Sequence, residues 1–211
     1  MNRIIENNQV TISGEIASGF NFSHELYGEK FYIVNLKIQR TSGTDDIVPV
    51  TVSDRLIDVS EDYTGQFASV TGQFRSYNKQ DDGEKNKLVL SVFAHMFDLL
   101  GEDEECSNDN KISLDGYICK TPFYRTTPLG REICDLLVAV NRPYGKSDYI
   151  PCICWGRNAR YVGNLNVGER CVIEGRIQSR QYVKKLYDGG SEDRIAYEVS
   201  VSKLEVRKDE K

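Results

Sequence analysis

An internal repeat dominates this sequence. Gly14 and Gly116, Gly28 and Gly130, Arg40 and Arg142, Pro49 and Pro151, and Arg55 and Arg157 all stand 102 residues apart. One residue is then inserted, and the spacing becomes 103 for Gly65 with Gly168, Gly72 with Gly175 and Ser76 with Ser179. The apolar pattern follows the same register, with Phe31–Leu36 overlying Ile133–Val138. Isolated glycine matches would mean little. A constant register with a single insertion means two copies of one structural unit. The copies are expected over residues 1–100 and 110–207, joined by the acidic, turn-rich linker 101–109.

Each copy has the period of strands. In the second, Ile112, Leu114 and Gly116 alternate within 111–119, which breaks at Thr121-Pro122. The runs 132–141, 148–155, 171–182 and 195–206 follow, separated by turn signals at Arg142-Pro-Tyr-Gly145 and Tyr187-Asp-Gly-Gly190. The one helical candidate lies near 158–163. Five strands with a short helix between the third and fourth is the element order of the OB-fold, a partly open barrel. The expected fold is therefore all-β: two tandem five-stranded OB barrels, each with one short helix.

Charge separates the copies. The net −5 of the chain hides −5 over residues 1–100, where 9 Lys/Arg face 14 Asp/Glu, and +4 over 108–207. A phosphate-bearing partner would prefer the second copy. No apolar run approaches the ~18 residues of a membrane span, and the start lacks the apolar run of a secretory signal. Of the six cysteines, Cys134, Cys152, Cys154 and Cys171 fall in apolar strand runs. They are expected as free, buried thiols in a reducing cytoplasm. Cys152-Ile-Cys154 lacks the spacing and the second pair of a structural zinc site. Acidic pairs such as Asp45-Asp46 and Asp81-Asp82 fall in turns, so neither metal, cofactor nor enzymatic centre is expected.

Alternation also sorts side chains by face. Along 149–155 one face carries Tyr149, Pro151, Ile153 and Trp155, the other Ile150, Cys152 and Cys154. Along 176–182 one face carries Arg176, Gln178, Arg180 and Tyr182. Rings that accept any base, flanked by cations that follow phosphates, are what sequence-tolerant binding of a single strand needs. A lone tryptophan is often a core residue; its alternation with Tyr149 points it outward instead.

The second copy resembles the bacterial single-stranded DNA-binding protein family. The resemblance rests on Gly130–Arg142, Asp148–Gly156, Val172–Tyr182 and Lys120–Gly130, and it covers residues 110–206. It implies an OB-fold, assemblies presenting four barrels, and base stacking on Tyr149, Trp155 and Tyr182, with Tyr144 in the preceding hairpin. Arg131, Arg142 and Arg157, with Arg176, Gln178 and Arg180, complete the candidate nucleic-acid-binding set. The family's acidic, Phe-terminated tail is not matched by Lys208-Asp-Glu-Lys211. The first copy has Ile47, Ser53 and Lys79 where the second has Tyr149, Trp155 and Tyr182, while Arg75 and Tyr77 remain on that face.

The expected function is binding and protection of single-stranded DNA in replication, recombination or mobile-element transfer. The expected assembly is a homodimer of four barrels. The alternative is a primosome-type or mobile-element OB protein acting mainly as a protein-interaction module, with replication or recombination proteins as partners.

Overall fold

The computed structural model describes residues 7–79, 87–101, 103–185 and 190–207. The first half forms β1 (Asn8–Ile16), β2 (Asn21–Leu26), β3 (Glu29–Gln39), β4 (Asp45–Ser53), β5 (Phe67–Lys79) and β6 (Lys87–Leu99). The second repeats the order as β7 (Asn110–Ile118), β8 (Phe123–Thr126), β9 (Glu132–Asn141), β10 (Ser147–Trp155), β11 (Arg170–Lys185) and β12 (Ser191–Arg207). Helix α1 (Gly156–Val162) lies between β10 and β11. The turn expected at 187–190 lies largely outside the described residues. No described helix is long and apolar enough to cross a membrane.

The fold is all-β, two tandem OB barrels, with two differences from the sequence reading. Each half has a sixth strand, because the edge strands β2 and β8 pair with β3 and β9 as short hairpins. The second difference is a correction: among the described residues, the helix occurs in the second barrel alone. In the first, residues 54–66 run through turns in which Asp58 accepts from the Ser60 N–H at 3.0 Å and Asp62 from the Thr64 N–H at 3.0 Å. These aspartates offer the backbone a local alternative to helical bonds. The corresponding Gly156-Arg-Asn-Ala-Arg-Tyr-Val162 has no such carboxylate and forms α1.

Closure of each barrel depends on a strand that changes partners. β1 pairs with β5 over Val10–Glu15, then reaches β3 at Glu15 and Ile16. β7 does the same with β11 and then with β9 at Tyr117 and Ile118. At each crossing the backbones approach too closely for a side chain. A Cβ on Gly14 would stand 2.3 Å from the Lys37 carbonyl oxygen, and one on Gly116 2.5 Å from that of Ala139. Lys37 and Ala139 are themselves 102 apart. Gly116→Ala is expected to destabilise the protein by about 1–3 kcal/mol, the usual cost of forcing volume into packed structure. Chemical denaturation checks this; a wild-type midpoint would contradict it.

The interiors hold the residues that alternation assigned to them. Ile150, Cys152 and Cys154 are buried, with Val138, Ile177 and Val199 around them. The first barrel buries Val34, Leu36, Val48, Val50 and Phe74. Each such side chain contributes roughly 1.5–3 kcal/mol through its removal from water. The six cysteines are free, and four are buried. Burial pushes the Cys134 and Cys171 thiols up to about 11 and Cys154 to about 12, so they stay protonated and act as small apolar groups.

The two barrels meet about a pseudo-twofold axis. β1 and β7 pair antiparallel with Val10 opposite Ile112, Asn8 opposite Leu114 and Ile12 opposite Asn110. Equivalent residues thus face each other across the seam, the pattern of an isologous interface within one chain. Matching bonds flank the seam. Asn8 bonds both the N–H and the carbonyl of Phe74, at 2.9 and 2.8 Å, and Asn110 does the same to Ile177 at 2.8 and 2.7 Å.

Two buried aspartates lock the junction. Asp148 accepts the Ser76 N–H of the other barrel at 2.6 Å and is gripped by Arg142, whose guanidinium also donates to the Ser76 carbonyl at 3.0 Å. Its counterpart Asp46 accepts the Ser179 N–H at 2.7 Å and is held by Arg40. The paired serines complete the symmetry: the Ile47 N–H donates to Ser179 Oγ at 3.0 Å, and the Tyr149 N–H to Ser76 Oγ at 2.8 Å.

Candidate nucleic-acid interface

The outer face of the second barrel is read from strand register, since residues directly opposite share a face. β12 lies between β11 and β10. Ser200 stands opposite Arg176 on one side and Ile153 on the other, and Glu198 opposite Gln178. Tyr182 stands opposite Arg194. Tyr149, Pro151, Ile153 and Trp155 therefore share one surface with Arg176, Gln178, Arg180 and Tyr182. β9 and β8 extend it, because Ile153 faces Asp135 and Asp135 faces Phe123.

The rings on this surface are open. Tyr149 is 46% exposed, Trp155 38% and Tyr182 37%. The Trp155 indole donates to Ser200 Oγ at 3.3 Å, which lays the ring against the neighbouring strand. The Arg180 guanidinium stands 5.8 Å from the Tyr182 ring centre and 3.9 Å from Glu198, and its side chain is more than half exposed. A ring with a guanidinium beside it offers a base one flat face and a phosphate one cation.

The structure divides the remaining candidates. Arg131, in the β8–β9 turn, and Arg157, in the first turn of α1, are exposed and form no ion pair among the described residues. Arg142 is not on the open surface; it is committed to Asp148 and Ser76 at the junction. Arg176 reaches across to Asp46 at 3.1 Å and to Gln178 at 3.2 Å, and burial lowers its pKa despite that carboxylate. Gln178 is buried and donates to Glu198 at 2.6 Å. Arg142 and Arg176 thus hold the barrels together, and Gln178 braces Arg176. The side chain of Tyr144 lies outside the described residues.

One exposed ring escaped the sequence reading. Phe123, 62% exposed, lies on the same surface at the edge strand β8. Four residues are too few for alternation to assign a face; only its register with Asp135 does so. Arg125, next on that face, pairs with Asp135 at 2.9 Å. The described residues contain no cluster of side chains suited to a metal ion.

Residues 109–207, the second barrel, match the model of the Single-strand binding protein family. Single-stranded DNA-binding protein 1 of Staphylococcus aureus is 38% identical over 80 residues, which cover 35% of this chain and 48% of that protein. Single-stranded DNA-binding protein A of Bacillus subtilis is 35% identical over 80 residues, covering 35% and 46%. The chain thus spans about half the length of these curated relatives. The crystal structure of the wild-type single-stranded DNA binding protein from Thermus aquaticus superposes over both barrels with a TM-score of 0.76. It covers 97% of this chain and 94% of the other at 21% identity, a likeness of fold. The second barrel is therefore similar in sequence to bacterial single-stranded DNA-binding proteins, and the tandem arrangement recurs in a solved structure.

Proposed function

We propose that the protein binds unpaired DNA without strong sequence preference, chiefly on the outer face of the second barrel. Bases stack on Tyr149, Trp155 and Tyr182, and Phe123 extends the platform toward the sheet edge. Arg180, Arg131 and Arg157 follow the phosphates. The observation that carries the reading is that three rings and Arg180 are exposed together on one sheet surface, in the half with net positive charge. Two chains would present four barrels as a homodimer. Holding unpaired strands suits replication, recombination or element transfer in the cytoplasm, with enzymes of those processes as partners.

The single tryptophan supplies the test. Oligo-dT should quench Trp155 emission, because stacking brings a base onto the indole, and added salt should reverse the quench as cations re-condense on the released strand. Unchanged emission at low salt with micromolar strand would defeat the proposal and favour a protein-interaction module.

A further inference from the structure

The first barrel lacks the rings of the second at Ile47 and Ser53, yet its outer face is not bare. His24 stacks on Phe31 with ring centres 4.9 Å apart and planes 13° from parallel. Phe31 lies 5.5 Å from Phe93, and Phe93 6.1 Å from His95. The Arg75 guanidinium sits 3.7 Å over the Phe93 ring. Both histidines are exposed and Phe93 is half-buried.

Register shows how this row relates to the other barrel. Phe93 stands opposite Thr51 on β4 and Gln73 on β5; Ser200 stands opposite the equivalent residues Ile153 and Arg176. Phe93 is therefore the counterpart of Ser200, the residue on which the Trp155 indole rests. Phe31, opposite Ser53, is likewise the counterpart of Ile133, opposite Trp155. The aromatic bulk has moved by one strand on either side: large on β10 and small on β12 in one barrel, small on β4 and large on β3 and β6 in the other. The patch of surface covered is the same.

We infer that His24, His95 and the Arg75 guanidinium, seated over Phe93, form a second stacking surface for the bases of an unpaired strand, built from positions the second barrel does not use. Arg75 supplies the cation. Burial and the nearby Arg142 lower its guanidinium to about 10, which leaves it charged at neutral pH. The carboxylate that acts on Arg75, Asp148, is already engaged by Arg142 and the Ser76 N–H. The row also leads toward the other platform. Arg75 adjoins Ser76, whose hydroxyl accepts the Tyr149 N–H, so a strand leaving Phe93 meets Tyr149 across the junction. This inference rests on the proposed stacking role of the second barrel.

The test uses the full chain and two labelled oligo-dT lengths, about 8 and about 30 nucleotides, against a site size of roughly 4–16 nucleotides per OB barrel. The double variant His24→Ala/Phe93→Ser should bind the short strand as wild type does and the long strand about tenfold or more weakly. Arg75→Gln, which installs the residue type of its counterpart Gln178, should move the same way and guards against misfolding of the first variant. Unaltered long-strand affinity in both variants overturns the inference and leaves the second barrel's role standing. Failure of the wild-type chain to bind either length overturns both.

Discussion

Asp148→Ala should cost about 3–5 kcal/mol of folding free energy, the range for removing one partner of a buried ion pair. Asp148 is 1% exposed and satisfies Arg142 and the Ser76 N–H together. Without it the guanidinium keeps only a carbonyl partner, and a buried amide at the seam is left unpaired at about 1–3 kcal/mol. Asp46→Ala should behave alike at the opposite junction, where two arginines converge. Asp135→Ala is the contrast. Its partner Arg125 is 43% exposed, and a surface pair of that kind is worth under about 1 kcal/mol. Urea denaturation of the three variants decides the matter; equal losses at Asp148 and Asp135 would mean the junction does not hold the barrels together.

The combined change Tyr149→Ala/Trp155→Ala/Tyr182→Ala should weaken binding of labelled oligo-dT by more than about 100-fold. Each base–ring stack is worth about 1–3 kcal/mol, and about 1.4 kcal/mol is a factor of ten. The rings are exposed, so the midpoint of unfolding should stay close to wild type. The slope of log affinity against log salt should persist, because Arg180, Arg131 and Arg157 remain. Replacing Arg131 and Arg157 by glutamine should instead flatten that slope by about 0.7 for each phosphate no longer neutralised. Fluorescence anisotropy reads both series. A triple variant of unchanged affinity would place the strand elsewhere on the molecule.

Much of this architecture is written in the residues themselves. Gly14 and Gly116 mark backbone crossings where no side chain fits, so their spacing reports a geometry repeated twice. Alternation assigned Ile150, Cys152 and Cys154 inward and Tyr149 and Trp155 outward, and burial agrees. What alternation cannot supply is the group across the way. Arg142, Arg176 and Gln178 lie on strands and turns of the right polarity, but Asp148 with Ser76, Asp46 and Glu198 take up their donors. Ser76 and Ser179 were visible as repeat markers, yet their role depends on a strand of the other barrel, far away in the chain. The helix of the first barrel failed for a local reason, the turn-forming Asp58 and Asp62. Its ring row was missed because Phe31 and Phe93 come from strands whose counterparts in the second barrel carry Ile133 and Ser200.

The antiparallel seam joining β1 to β7 has a consequence for heredity. Separate identical subunits docked along such a seam would carry every substitution twice, once on each side of the axis. Here the two sides are different stretches of one polypeptide, so a change lands once. Trp155 set against Ser53, or Phe93 against Ser200, is an asymmetry available only to partners fused into a single chain.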